Sequence, residues 1–348
     1  MPQVDTHHNN QDLVKRLKLT AQYIANLQLP SGAIPWFEDG ITDPWDHVEG
    51  IMGLTTAGFY NEALNGLKWL EKTQLPNGAW YAAYRDDEVA DANRAESNFV
   101  AYPATGLWHY YLATKDMAVL RRFWPMIRKA MLWVTSLQTQ YGDICWAYDF
   151  NKGISQDALI TGCSSIFKSL ECTILIAETL NFPTAGWQRA RTKLGTALLQ
   201  QPNRFDRTWA SKARFSMDWC YPILSGVITG PAAQQRLSNR WDEFVVTGLG
   251  CHCVNDEPWV TVAESCELIM SCVAAGEAAK GQVIFENLMQ FQLENGAWWT
   301  GYAYKDRVHW PDERPTWTAA AVLLAADALQ GQSSTASLFT KHLPILSH

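Results

Sequence analysis

Apolar residues recur along most of this chain at the three-and-four spacing of a helix face, and two kinds of segment alternate. In the first kind an apolar stripe is backed by charged and polar positions, as in 12–28, 61–74, 116–138, 187–200, 231–244 and 281–292. In the second, Ala, Gly and Leu dominate and apolar residues run nearly all round, as in 46–60, 98–114, 157–180, 218–228, 263–275 and 316–329. A helix apolar on every side is a buried one, so the second set predicts inner helices and the first outer ones. Strand-like alternation is scarce.

The links are asymmetric. An inner segment passes to the next outer one almost at once, as at Tyr60-Asn61 and Thr114-Lys115, whereas the return takes about 15 to 25 residues, as in 29–45, 75–97, 139–156 and 293–315. Short links make antiparallel neighbours, and loops beyond about 12–15 residues are usually functional. Each long link falls at the same step of a hairpin, so all lie at one end. The expectation is an all-α (α/α)6 toroid over residues 11–330, its pocket at the long-loop end. Residues 1–10 and 331–348 are expected to be loosely held tails, the second with room for a short terminal helix.

Composition narrows the partners. The chain has 348 residues, 47% apolar, with a formal net charge of −7 and no run of Lys and Arg. That excludes nucleic acid and anionic membrane as main partners. No apolar run approaches the roughly 20 residues of a membrane helix; 316–329 comes nearest and Asp327 interrupts it. Met-Pro-Gln-Val-Asp at the start has no apolar core of a secretory signal. Eight cysteines, several in apolar helical stretches, fit a soluble protein of the reducing cytoplasm without disulfides. Seventeen tryptophans are the outlier. Most are expected to pack the core and the rest to line a pocket, where an indole offers its face to a sugar ring or a cation.

One phrase returns four times: Gln28-Leu-Pro-Ser-Gly32, Gln74-Leu-Pro-Asn-Gly78, Gln138-Thr-Gln-Tyr-Gly142 and Gln292-Leu-Glu-Asn-Gly296, followed by Trp36, Trp80, Trp146 and Trp298. Such self-similarity means that one unit is being reused. The stretch from Gly66 through Trp69, Leu70, Gln74 and Gly78 to Trp80 resembles the QW motif of squalene–hopene and related terpenoid cyclases. Phe285 through Gln292, Gly296 and Trp298 is similar, and the copies at Gln28 and Gln138 are degenerate. The resemblance implies the toroid shared by terpenoid cyclases and protein prenyltransferases. The Asp-x-Asp-Asp motif of protonating cyclases has no counterpart, Asp43-Pro-Trp-Asp46-His47 being the nearest match.

Candidate chemistry gathers in the long loops. Trp36, Asp39, Asp43, Trp45, Asp46, His47 and Glu49 stand within fourteen positions leading into the first inner helix. Asp46 reads either as a catalytic acid or as an N-cap with Glu49 completing a capping box. Later loops add Tyr84, Asp91, Arg94 and Glu96, then Trp146, Asp149 and Asp157. Asp218, Trp219 and Tyr221 open the fourth inner segment; Trp259 and Glu264 lead into the fifth; His309, Trp310, Asp312, Glu313 and Trp317 lead into the sixth. The catalytic candidates are Asp46, Glu49, His47, Asp312 and Glu313, and the others are expected to bind substrate.

The leading expectation is a terpenoid-cyclase- or prenyltransferase-like enzyme acting on an isoprenoid or related small molecule by carboxylic acid catalysis in an aromatic-lined central pocket. The alternative is a carbohydrate-active enzyme of the six-hairpin type with a carboxylate pair, Asp46 or Glu49 opposite Asp312 or Glu313. The third is a zinc-dependent prenyltransferase-like or non-catalytic binding toroid, through Asp218-Trp-Cys220 or Cys251-His-Cys253. No metal and no cofactor is expected.

Overall fold

The computed structural model describes residues 6–344, and side chains from residue 11 onward. Six helical hairpins form an (α/α)6 toroid. The outer helices are Thr6–Leu27, Tyr60–Thr73, Met117–Ser136, Ala185–Gln200, Gly230–Asn239 and Ala278–Leu288. The inner helices are Pro44–Thr56, Ser97–Ala101 continued by Pro103–Thr114, Ile160–Thr179, Ser216–Leu224, Val262–Ala274 and Thr316–Gln330. Each inner helix packs on the next, and the sixth returns to the first. Their small residues permit the approach: a Cβ on Gly53 would collide with Ala320 of the sixth inner helix.

The repeated phrase stitches the outer ring. Gln74 Nε2 donates to its own turn at Gly78 O (3.0 Å) and to Met126 O of the next outer helix (2.9 Å). Gln28 does the same to Gly32 O and Glu62 O, and Gln138 to Gly142 O and Ala190 O. Gln292, after the last outer helix, donates to Arg16 O and Thr20 Oγ1 of the first, which closes the circle. Each phrase glycine has φ between 89° and 100°, and its Cα lies against the backbone of the neighbouring outer helix. Only glycine adopts that conformation at such an approach without strain. Trp80 and Trp298 are fully buried, their Nε1 groups donating to Leu70 O and Thr20 Oγ1.

The long loops carry strands of two to four residues, which the helical periodicity did not announce. Arg94–Glu96, Ala147–Asp149 and Gly153–Ile154 join loops two and three. A five-stranded sheet, in the order Val308–His309, Gly301–Ala303, Trp259–Thr261, Gly250–His252 and Val245–Val246, joins loops five and six. These strands satisfy backbone groups that long loops otherwise leave open.

Three expectations need correction. Ile160–Thr179, not 316–329, is the helix long and apolar enough by composition to cross a membrane, with hydropathy 1.3 over its window; 83% of that window is buried as a wall of the ring. The C-terminal segment is a strap and not a loose tail. Ser333 and Thr335 hydroxyls donate to Asp327 Oδ2 at 2.7 Å, and Ala336, Leu338 and Phe339 are buried. The strap passes Leu112 at the end of the second inner helix and docks on a buried ion cluster. There Glu171 takes Lys168 at 2.5 Å and Arg191 at 2.6 Å, and accepts Leu343 N at 3.0 Å. The strap therefore closes the end of the ring opposite the long loops. The first outer helix begins at Thr6, inside the expected N-terminal tail. Residues 1–5 and 345–348 lie outside the described residues.

Candidate active site

The first inner helix is capped by Asp43. Its Oδ1 accepts Trp45 N (2.8 Å) and Asp46 N (3.0 Å), and its Oδ2 accepts Trp36 Nε1 (2.6 Å). Pro44 supplies the fixed φ of a first helical residue. The cap is thus Asp43 and not Asp46, and Glu49 completes no capping box. This frees Asp46 and Glu49, one turn apart on one face, for the interior.

The fifth inner helix offers a matching pair, Glu264 and Glu267, also three residues apart. Two tyrosines hold the deeper member of each pair: Tyr102 Oη donates to Glu49 Oε2 at 2.7 Å, and Tyr221 Oη to Glu267 Oε1 at 2.9 Å. Trp45 lies between them, stacked on Tyr102 at 4.8 Å and tilted on Tyr221 at 5.9 Å. First and fourth inner helices stand opposite in a ring of six, so the Trp45–Tyr221 contact crosses the axis and makes an aromatic floor.

Several buried polar atoms on the fourth, fifth and sixth inner helices have no protein partner: Asp218 Oδ2, Glu264 Oε2, Glu267 Oε2 and Trp317 Nε1. Buried polar groups are nearly always paired, so a concentration of free ones on the first two turns of three inner helices marks a place built for polar ligand groups. Asp218 is fixed through its other oxygen by Thr161 Oγ1 at 2.9 Å.

Burial raises the carboxyls. Glu49 is pushed up to about 7 and Asp218 to about 6. Asp46 stands well above the usual carboxylate range, through burial first, then the charges of Asp43, Glu49 and Glu267. The Asp43 carboxylate, one turn back and bonded to the Asp46 backbone N–H, favours the protonated form of Asp46. Glu267 is raised by burial and by its neighbours Glu264 and Glu49. Carboxyls pushed apart in proton affinity are the raw material of an acid and a base.

His47 does not belong to the chemistry. Ile34 N donates to its Nδ1 (3.0 Å), and its Nε2 faces Gly66 O (3.0 Å), a pairing that makes Nε2 the protonated nitrogen. Burial lowers it to about 4, so it is a neutral pin between loop one and the second outer helix.

Asp312 and Glu313 are also displaced from the expected pairing. The Asp312 side chain is 84% exposed and paired with Arg314. Arg314 lies over Trp299, and its carbonyl accepts Tyr23 Oη of the first outer helix, which puts this turn on the outer rim. The Glu313 backbone carbonyl accepts from Thr300. His309 stacks on Trp299 at 4.6 Å.

Other expected binding residues hold the loops. Asp39 is an exposed turn residue whose carbonyl accepts from Arg85. Tyr84 Oη accepts Tyr81 N, and Arg94 bridges Asp91 and Glu96. Trp146 packs edge-on against Trp209, and Asp149 caps its own turn. Asp157 is consumed by Thr208 N and Oγ1 at 2.6 and 2.7 Å. Trp219 is buried behind the ring with Nε1 on Arg236 O. Trp259 and Trp310 pack together at the rim. The structure therefore unites Asp46, Glu49, Trp45 and Tyr221 with Asp43, Tyr102, Glu264 and Glu267, while Asp218 stands one turn before Tyr221 and Trp317 on the first turn of the sixth inner helix. Sequence reasoning passed over Glu267 and Tyr102, although an acid inside an otherwise apolar inner helix was a readable signal. Among the described residues no cluster of three or more His, Cys, Asp and Glu is arranged to hold a metal ion.

No protein-family profile matches the chain. It is 44% identical over 315 residues to the MMP endo-(1,4)-3-O-methyl-alpha-D-mannosidase of Mycolicibacterium hassiacum, covering 90% of this chain and 86% of that protein. Among solved structures, a glycosidase in complex with glucose superposes with a TM-score of 0.73 at 13% identity, covering 94% of this chain and 99% of that one. A D-mannose isomerase superposes with a TM-score of 0.73 at 10% identity, covering 95% and 99%. At such identities these two show a shared fold alone. The mannosidase overturns the terpenoid-cyclase and prenyltransferase reading, because the Gln–Gly–Trp phrases report how the outer helices are joined and not what the pocket does. The chain is a glycosidase-type enzyme and belongs to the family of the MMP endo-(1,4)-3-O-methyl-alpha-D-mannosidase.

Proposed function

We propose that this enzyme hydrolyses internal α-mannosidic bonds of a partly O-methylated mannan, with Asp46 as general acid and Glu264 as its partner carboxylate. The observation that carries the reading is the convergence of two helix-borne carboxyl pairs over an aromatic floor, with acceptor atoms left open on Glu264, Glu267 and Asp218. The mannosidase relative supports the substrate class. Eight free cysteines support a cytoplasmic setting.

In this mechanism Asp46 gives its proton to the leaving glycosidic oxygen as the bond to the anomeric carbon breaks. Glu264 removes a proton from the attacking water, or attacks the anomeric carbon itself. Asp218 and Trp317 accept from and donate to sugar hydroxyls. Glu49 and Glu267 lie beneath, held by their tyrosines, and disfavour loss of the Asp46 proton until the leaving group takes it.

The test is mass-spectrometric product analysis of the full chain acting on 3-O-methylated α-(1→4)-mannan. Asp46→Asn and Glu264→Gln are expected to lower kcat by roughly 10²–10⁴-fold with the fold intact. Full activity in either variant, or hydrolysis of no mannoside by the parent enzyme, overturns the assignment. Loss of activity in Glu267→Gln but not Glu264→Gln moves the partner role one turn deeper.

A further inference from the structure

The rim carries two aromatic shelves that the chemistry at the centre does not use. In the five-stranded sheet, Tyr302 and His309 are directly opposed and approach Phe291, at the end of the last outer helix, at 5.9 and 6.0 Å. That face looks toward the outer ring. Trp259, Ala303 and Val308 are opposed to one another on the other face, and Trp310 follows Val308 by two residues onto the same side. Trp310 is 55% exposed and Val308 48%. Trp310 is nevertheless fixed: Trp259 Nε1 donates to Trp310 O at 2.8 Å, and the two rings meet edge-on at 5.0 Å. Trp259 opens the strand that leads straight into the fifth inner helix, five residues before Glu264, so this shelf and the Glu264–Glu267 pair share one hairpin.

Across the mouth, loops two and three bring Tyr81 and Tyr148 edge-on to Phe150 at 5.3 and 5.6 Å. Phe150 is 36% exposed, and its backbone is tied to Asn93 O. In a ring of six hairpins, the second and third lie diametrically opposite the fifth and sixth. Phe150 and the Trp259–Trp310 pair therefore belong to opposite sides of the mouth.

We propose that these shelves bind the sugars on either side of the scissile bond, so that one glycan chain lies across the mouth from Phe150 to Trp310. The inference rests on the mannan-hydrolase reading and assigns the outlying subsites. The occupant is the same chain that reacts at the centre, because the Trp259–Trp310 shelf shares a hairpin with Glu264 and the Phe150 shelf stands on the hairpins across the ring. An indole or phenyl face suits a pyranose C–H face, and O-methylation makes that face more apolar. A neutral glycan also meets no repulsion from a chain of net charge −7.

The experiment measures KM, kcat and binding for a ladder of 3-O-methylated α-(1→4)-mannooligosaccharides. It uses the full chain, and the Asp46→Asn background for binding by tryptophan fluorescence. Trp310→Ala and Phe150→Ala are expected to raise KM for the longest chains about tenfold and for the shortest cleaved chains much less. Trp310→Phe is expected to recover part of the loss. Equal losses at every length, or none at any length, overturn the shelves while the hydrolase reading stands. A change in oligomeric state of Trp310→Ala with unaltered chain-length dependence makes the patch a contact between copies, and overturns them too. If the parent enzyme neither binds nor cleaves any member of the ladder, both readings fall together.

Discussion

Tyr102 donates a 2.7 Å hydrogen bond to Glu49 Oε2 from the neighbouring inner helix, deep in the ring where neither group meets bulk water. The bond lowers the proton affinity of Glu49, but burial outweighs it and holds the carboxyl at about 7, against 4.5 for a free one. The folded protein therefore binds this proton more tightly than the unfolded chain. The penalty of ionising Glu49 is absent below pH 4.5 and complete once pH has risen through about 7. Stability is expected to fall across that window by up to about 3 kcal/mol from this group. Urea unfolding from pH 4.5 to 8 should show a shallower decline in Glu49→Gln.

Asp43 both caps the helix, accepting the Asp46 backbone N–H, and sets a charge beside the Asp46 carboxyl. Asparagine caps as well as aspartate, so Asp43→Asn is expected to keep the fold while removing the nearest charge that raises Asp46. Activity that depends on a protonated Asp46 is lost as pH rises through its value. The alkaline limb of the kcat/KM profile should move to lower pH in this variant, by about one unit. An unmoved limb assigns the general acid elsewhere.

Glu171 is the single anion between Lys168 and Arg191, all three nearly inaccessible. Removing one partner of a buried ion cluster leaves charge uncompensated, and Glu171→Gln is expected to cost about 3–5 kcal/mol. It also loosens the strap, since a single amide oxygen must then serve Lys168, Arg191 and Leu343 N. Limited proteolysis should then cut within 331–344 in the variant and spare the parent.

Two glycines separate conformational strain from collision. Gly58 (φ 82°) has open space where a Cβ would stand, whereas Gly78 (φ 100°) abuts the backbone of Lys129. Alanine at Gly58 is expected to cost about 1 kcal/mol, the left-handed strain alone. Alanine at Gly78 should cost more, because the second and third outer helices must part as well. Thermal unfolding of the two variants reads the difference.

The architecture was legible because the ring is written in two registers, amphipathic outside and apolar inside, and Gln74 or Gln292 marks where each outer helix turns. The site was half legible. Asp46, Glu264, Asp218 and Tyr221 sit at inner-helix starts, where loop chemistry draws the eye. Glu267 and Tyr102 lie a turn deeper among apolar neighbours, and only the folded ring gives each a partner. Asp312 misled because a dense acidic loop looks the same in sequence whether it faces the axis or the outer rim. The Gln–Gly–Trp phrase misled for a related reason: Gln74 reaching Met126 is a property of the scaffold, and scaffolds outlast chemistries.

The stitches are unevenly spaced around the circle. They fasten the first outer helix to the second, the second to the third, the third to the fourth, and the sixth to the first. The joints on either side of the fifth outer helix, Gly230–Asn239, carry no such phrase. Asp46 belongs to the fastened arc, while Glu264 and Glu267 stand on the hairpin backed by the plain one. The ring is thus pinned unevenly along its circumference: the outer layer is laced by glutamines on the Asp46 side, whereas the hairpin that bears Glu264 and Glu267 is held to its sixth-hairpin neighbour by the strand pairing of its loops.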